Sequence, residues 1–462
     1  MYTFRISKKN SRFNRRVCIE REKGGLKRLM ANELNESTTI PILGWISENK
    51  ESLVRLTQDL VRIPSISGEE FEVQKRVHKE LERMALNPEF INPDEKTLRS
   101  HKDFFETTSF VKYGYDDRPN VAGVLEGIGG GRSICLSGHI DVVSPEPLNK
   151  WTRDAWSGDV IDGNIHGRGA GDMKAGVAAI IFAVQAIQES GIKLKGDVQV
   201  ETTIEEEDGG VGGVLYLRMV RPKTDAAFVP EPSNLTITLA SAGVMYFRVT
   251  VPGVPAHAAT AHFGVNAVQK MMPVIAAIQK LHEDRQARIS YSYAETDPRM
   301  KGRATTINIG VIRAGDWPST VPGSCTIECR IGFPPGETRK EVMKQVEDVI
   351  SKAAKGDGWL KDNPPVVEWF GWKARPHELD ANNGFVQLVR KNVIHVAGRE
   401  PDFIGGSSGL DTRYFVHHGV PAITCGPLAE RIHSFDEIVD IESIVHTSQV
   451  IAKTMLEWCG IQ

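Results

Sequence analysis

No run of roughly eighteen or more apolar residues occurs in the chain, so the sequence predicts no membrane-spanning helix. The N-terminus lacks the apolar core, roughly 7–15 residues long, of a secretory signal. Cysteine is scarce. Six in 462 residues make no disulfide framework. Cys325 and Cys329, four apart in CTIEC, fall on one face of a strand and read as buried thiols, because no second pair completes a zinc motif. An excess of basic charge is missing too: 56 Lys+Arg stand against 59 Asp+Glu. The balance conceals a split, with ten bases and two acids in residues 1–30 and 46 bases and 57 acids in the rest. An acidic body of this kind argues against nucleic acid as a partner. Residues 1–38 read as a disordered basic extension, with Met30 as an alternative start, and the expected location is cytoplasmic, away from membranes. Internal repeats and low-complexity segments are absent.

What is present is an ordered alternation of elements. A helical pattern runs over 41–62. Residues 69–85 form an amphipathic helix on Val73, Val77, Leu81 and Met84. NVAGVLEG and RSICLSG flank Gly129, Gly130 and Gly131 and read as a hairpin closed by a glycine turn. A helix over 173–190 ends at Gly191, and DVQVETTI and AAFV follow as strands. Helix and strand alternate again in NGFVQLVRKNVIHVAG and PAITC. The middle differs: 245–251, 305–315 and 326–331 alternate as strands, while 264–283 and 336–355 are helical. The fold class is therefore α/β, a catalytic domain with a mostly parallel sheet, interrupted by an inserted α+β domain. The expected boundaries are 39–242 and 369–462 for the α/β domain and 243–368 for the insertion.

Acids and imidazoles gather where apolar strands end, which is where open α/β sheets bind ligands. ICLSG runs into His139 and Asp141, VQVETTI into Glu205, Glu206, Glu207 and Asp208, and AAFVP into Glu231. PAITCGP is followed by His433, and Asp172 precedes a helix. Each has a plainer reading: HxD as a turn, EEEDGG as a solvated loop. Four adjacent carboxylates after a buried strand are nonetheless hard to place unless cations neutralise them. Two histidines with several carboxylates and no thiolate make an N/O donor set suited to Zn²⁺, Co²⁺ or Mn²⁺. Such ions lower the pKa of water toward about 7, and a spare carboxylate can then shuttle its proton.

SGHIDVV, IHGRGAGDMKAG, IEEEDGG, VPEPS and IHSFDE, in that order, resemble the M20 metallopeptidase/amidohydrolase family from about residue 45 to the C-terminus. The resemblance implies two divalent metal ions per subunit, Zn²⁺ or Co²⁺. His139, Asp172 and Glu231 would hold one; Asp172, Glu207 and His433 would hold the other. It makes Asp141 the residue that orients His139, and Glu206 the general base. Alignment on the glycine after EEED favours Glu206 and Glu207 over Glu205 and Glu206. The inserted domain resembles a ferredoxin-like lid that forms homodimers. His257, in PAHAATAHFG, would polarise the scissile carbonyl in the neighbouring subunit, although the local sequence alone reads as an exposed loop. Arg330 would grip a substrate carboxylate; a half-exposed strand arginine is the alternative. Gly409 and Asp411, in GGSSGLDTRYF, resemble the family's substrate loop, although LDTR is shifted from the usual form. Ser319 stands in STVP where the family often has Asn.

The lid sequence and the EEEDGG–PEPS spacing look most like the acetylornithine deacetylase/succinyl-diaminopimelate desuccinylase branch. The expected activity is hydrolysis of an amide in a small N-acyl amino compound. A dipeptidase or carboxypeptidase of the same family is the alternative. GGSSG also matches G-x-S-x-G, so Ser407, Asp411 and His433 could form a serine hydrolase triad, but Asp411 stands only four residues past Ser407, which leaves no room for the elbow helix. A non-catalytic binding protein on a hydrolase fold is the last alternative.

Overall fold

The computed structural model describes residues 36–462 except 298, 299, 301 and 407; most of the 1–38 extension therefore lies outside the described residues. A nine-stranded mixed sheet forms the larger domain. At its centre, Val198–Thr203, Ile134–His139, Ala226–Val229 and Ala422–Thr424 run parallel in that spatial order, so their C-terminal ends share one edge. These strands are buried throughout, as strands covered on both faces are; AAFV is a continuous apolar run, whereas VQVETT also buries Gln199, Glu201, Thr202 and Thr203. The helix Ala175–Glu189 is buried along most of its length and packs against the C-terminal helix Ile441–Cys459. The run Ala170–Glu189 is long and apolar enough to cross a membrane by length and composition, but it is 89% buried inside the fold, as a central core helix is.

The hairpin expected around Gly129–Gly131 is not formed. Asn120–Leu125 pairs antiparallel with Val198–Thr203, and Ile134–His139 pairs parallel with that same strand from its other side. The strand Val198–Thr203 thus lies between the two strands read as a hairpin. Gly129 and Gly130 take positive φ in a loop with open space around them, and Gly131 serves close approach. The Ile128 and Gly129 amides donate to the Leu194 and Lys195 carbonyls. A Cβ on Gly131 would run into the Cys459 carbonyl oxygen, and one on Gly196 into that of Arg132. Local sequence shows two strands and a glycine loop but not which strand enters between them.

The smaller domain has its own sheet and core. Gly243–Pro252, Thr306–Ala314, Ser324–Phe333 and Val366–Ala374 form a four-stranded antiparallel sheet, with Gly243–Pro252 and Ser324–Phe333 central. With the helices Ala267–Arg288 and Arg339–Lys355, the order is β-α-β-β-α-β, the ferredoxin-like arrangement. Met245, Phe247, Val249 and Val251 face the two helices together with Cys325, Ile327, Cys329 and Ile331. Both cysteines are buried free thiols. The last strand runs on to Ala374 across a bulge, so the sequence-derived division at 368 falls within it.

Gly131→Ala should cost about 1–3 kcal/mol, because backbone on three segments must move to admit a methyl group. A lowered midpoint in urea unfolding checks this; an unchanged midpoint would refute the close-packing role.

Candidate active site

Strand ends deliver the first ligand candidates. His139 is the last residue of its strand. Its Nδ1 lies 2.9 Å from the Asp141 carbonyl oxygen and 3.6 Å from the Asp141 carboxylate. Nδ1–H donates to that carbonyl, and Nε2 faces the cluster, 3.1 Å from Asp172 Oδ1 and 3.6 Å from Glu231 Oε1, carboxylates that hold the imidazole well above its ordinary pKa. The other Asp172 oxygen, Oδ2, is 3.3 Å from His433 Nε2. Glu207 Oε2 lies 2.9 Å from the same His433 nitrogen. One carboxylate therefore faces two imidazoles, and each imidazole has a further carboxylate beside it.

A surrounding layer of carboxylates orders the backbone. Asp141 accepts from Ser67 Oγ at 2.6 Å and from the Glu206 and Glu207 amides at 3.0 and 3.2 Å, fixing the turn that carries both acids. Glu205, at φ +67°, points away from the imidazoles. It accepts from Ser109 Oγ at 2.8 Å, Tyr115 OH at 3.1 Å, the Gly212 amide at 2.7 Å and the Thr107 hydroxyl. The sequence reading missed Glu437. Its buried carboxylate accepts from Arg168 Nη1 at 2.6 Å and from the amides of Gly169, Gly171 and Asp172 at 2.9–3.2 Å. Arg168 also donates to the Ser434 carbonyl at 3.0 Å, tying the Asp172 loop to the segment that carries His433. Nothing in IHSFDE distinguishes Glu437 from an ordinary surface acid.

Burial raises acids in both groups: it pushes Glu205 up to about 7 and Glu437 above the usual carboxylate range, whereas Asp141 lies below that range, its burial outweighed by His139 and by donors from Ser67 and the Glu206 amide. Burial pushes Glu231 up to about 8 and Glu207 up to about 7, and Asp172 pushes both further in the same direction. Burial and the nearby Asp411 hold Glu206 well above the usual carboxylate range. Asp172 itself lies below that range, because the two imidazoles outweigh its burial. Hydrogen bonds to Asp172 and Glu207 raise His433 to about 11. A cluster of this kind retains protons that a dication would displace, so the donor set fits divalent metal. Potential ligand atoms of His139, Glu206 and Glu231 lie within 4.8 Å of one another, as do those of His139, Asp172 and Glu207. These sets overlap those implied by the resemblance but also include Glu206.

A cavity of about 360 Å³ opens on the cluster, lined by Asp172, Glu206, Glu207, Glu231 and His433. Arg330 reaches it from the smaller domain, along with Tyr246 and Trp372, two aromatics the sequence reading did not single out. Gly409 lines it too, and a Cβ there would meet the Trp372 ring. Asp411 does not line it. It is buried at the start of the helix Thr412–His417, against Gly210, and burial pushes its carboxyl up to about 6. His257 is exposed on the smaller domain, its Nδ1 accepting from the Ala259 amide at 3.1 Å, and it does not line the cavity. Ser407 lies outside the described residues.

The fold and this cluster belong together as a metal-dependent amide hydrolase. The family model for peptidase family M20/M25/M40 matches residues 135–457, and the chain belongs to that family. It is 27% identical over 446 residues to N-formyl-4-amino-5-aminomethyl-2-methylpyrimidine deformylase of Halalkalibacterium halodurans, covering 91% of this chain and 97% of that one. Succinyl-diaminopimelate desuccinylase of Marinobacter nauticus is 26% identical over 336 residues, covering 71% and 84%. The M20 metallo-carboxypeptidase of Sulfolobus solfataricus shares the fold at a TM-score of 0.69 and 16% identity, covering 88% of this chain and 98% of that one.

Glu205→Ala should lower stability by about 3 kcal/mol or more, because the Thr107, Ser109 and Tyr115 hydroxyls and the Gly212 amide lose a buried acceptor. Glu205→Gln, which keeps one acceptor oxygen, should cost less. Thermal unfolding of the two variants checks the order.

Proposed function

We propose that this chain removes a short acyl group, such as formyl, acetyl or succinyl, from a small N-acylated amine, using two divalent ions, Zn²⁺ or Co²⁺. The observation that carries this reading is the Asp172 carboxylate, with one oxygen toward His139 Nε2 and the other toward His433 Nε2. His139, Asp172 and Glu231 would hold one ion, and Asp172, Glu207 and His433 the other. Bound there, the ions supply Lewis-acid polarisation and make water a nucleophile near neutral pH. The deformylase and desuccinylase relatives support a short acyl group.

The protein's own groups do the rest. Asp141 and Glu437 hold the backbones of the acid-bearing loops in register. Glu206, buried in the cavity wall, takes the proton from the attacking water onto its carboxylate and returns it to the leaving nitrogen. Arg330, in the same wall, would meet a carboxylate on the substrate. Gly409 leaves room beside the Trp372 ring, and Asp411 supports the loop from behind.

His257 of a second copy would serve as the donor to the scissile carbonyl. Exposed Phe263, Met272, Ile312 and Trp317 on the smaller domain, and its edge strand Thr306–Ala314, support a homodimer through that domain. The proposed location is the cytoplasm.

Dialysis against a strong chelator should abolish hydrolysis of N-formyl and N-acetyl substrates, and Zn²⁺ or Co²⁺ should restore it; turnover unaffected by chelation would refute the metal mechanism. Glu206→Gln should retain metal yet lose about 10²–10⁴-fold in rate. Loss of metal from Glu206→Gln but not from Glu207→Gln would instead make Glu206 a ligand. Mixing His257→Ala with an Asp172→Ala variant should recover partial activity in heterodimers; no recovery in a proven dimer would remove His257 from the site.

A further inference from the structure

A second and larger cavity, about 1240 Å³, lies beside the two chain crossings between the domains. Met245 lines it, whereas its strand neighbour Tyr246 lines the catalytic cavity, so the two spaces lie on opposite faces of that strand. Six cationic side chains form its wall: Lys102, Arg339, Lys340, Lys344, Lys373 and Arg375. This is a concentration of positive charge in a body whose 46 bases are outnumbered by 57 acids.

The wall's carboxylates offset only part of it: Glu347 and Glu378 keep their charge, and Lys344 is paired with Asp348 at 2.6 Å. Both oxygens of Glu337 are taken by the fully buried Arg285, at 2.9 and 2.7 Å. Glu347 accepts from the Trp369 indole at 2.8 Å, and Glu378 from the Tyr291 hydroxyl at 3.0 Å. One acid just behind the wall, Asp103, serves two guanidiniums, those of Arg375 and Arg339. Lys102, Lys340 and Lys373 have no ion-pair partner among the described residues. Burial and Arg375 push His417 down to about 4; burial and His417 push His377 down to about 3. Both imidazoles are therefore neutral near pH 7. His417 Nε2 is buried with no hydrogen-bond partner among the described residues.

We propose that this cavity binds a small organic diphosphate, a diphosphate group joined to an apolar or aromatic body. The arginine forks are already engaged by Asp103 and the Lys373 carbonyl, and Lys344 by Asp348, so Lys102, Lys340 and Lys373 are left as point charges. Lys102, Lys340 and Lys373 come from three separate segments around the cavity, a distribution suited to a ligand that carries more than one phosphoryl group. Phe104, Met245 and Trp369 supply the apolar wall for the body of the ligand. The site is independent of amide hydrolysis, and its occupant would touch both domains.

The test is calorimetric titration of the full-length protein with ADP, inorganic pyrophosphate and adenosine at 150 mM KCl, without substrate. ADP should bind saturably, pyrophosphate more weakly and adenosine not measurably. Lys102→Ala combined with Lys373→Ala should weaken ADP by about tenfold, since each lysine contributes up to about 0.7 kcal/mol. The corresponding double Arg variant should restore affinity. Absence of saturable binding by ADP and pyrophosphate, or an affinity unchanged in the double Ala variant, overturns the proposal.

Discussion

Asp172 faces two imidazoles whose segments come from distant parts of the chain, His139 at a central strand end and His433 near the C-terminus. Holding that arrangement requires burying many carboxylates together, and their mutual repulsion is the constraint on everything around them. The structure meets it by sorting acids into two kinds. Asp141, Glu205 and Glu437 have their oxygens occupied by amides, hydroxyls or guanidinium groups. Asp172, Glu207 and Glu231 face imidazoles and one another. The first kind have their oxygens met by donors of the protein itself. The second kind are compensated only in part, so that protons or metal must supply the remainder.

The two kinds depend on each other through short stretches of chain. Glu205 and Glu207 are two residues apart and face different environments, because Glu205 takes a left-handed conformation at the strand end. Gly209 and Gly210 continue that turn at positive φ, and a Cβ on Gly210 would collide with the Asp411 carboxylate. The Gly209 carbonyl accepts from Tyr414 OH at 2.8 Å and from Arg413. The loop that carries Gly409 is thereby fixed to the loop that carries Glu206. The glycines after EEED thus let two segments of backbone approach closely.

Much of this was legible because chemistry and periodicity coincide in the sequence. The buried helix 175–189, the strands ending at His139 and Val229 and the β-α-β-β-α order of the insertion follow from apolar spacing, whereas its last strand, Val366–Ala374, does not. The segments bearing His139, Asp172, Glu206, Glu207, Glu231 and His433 do converge on one cavity wall. What was not legible depends on long-range pairing. Val198–Thr203 enters between two strands that local sequence joins as a hairpin. Glu437 becomes a bracket for the Asp172 loop only because the chain returns from about 270 residues away. His257 shows the same limit from the other side, since within one chain it stands exposed and apart.

Backbone conformation shows how the site is held. Non-glycine residues with positive φ include Glu205, Arg431, His433 and Asp436, three of them within six residues around one ligand candidate. Each such residue costs of order 1–3 kcal/mol unless its surroundings over-determine it. Here they do. Asp436 accepts from the Thr152 amide and hydroxyl at 2.8 and 3.0 Å, Arg168 holds the Ser434 carbonyl, and Glu205 is saturated with donors. Strain at the imidazole-bearing turn is therefore balanced by contacts to segments that carry no ligand. Changes in those supporting segments should alter the site without touching it, because the geometry of His433 depends on Thr152 and Arg168 as well as on its own loop.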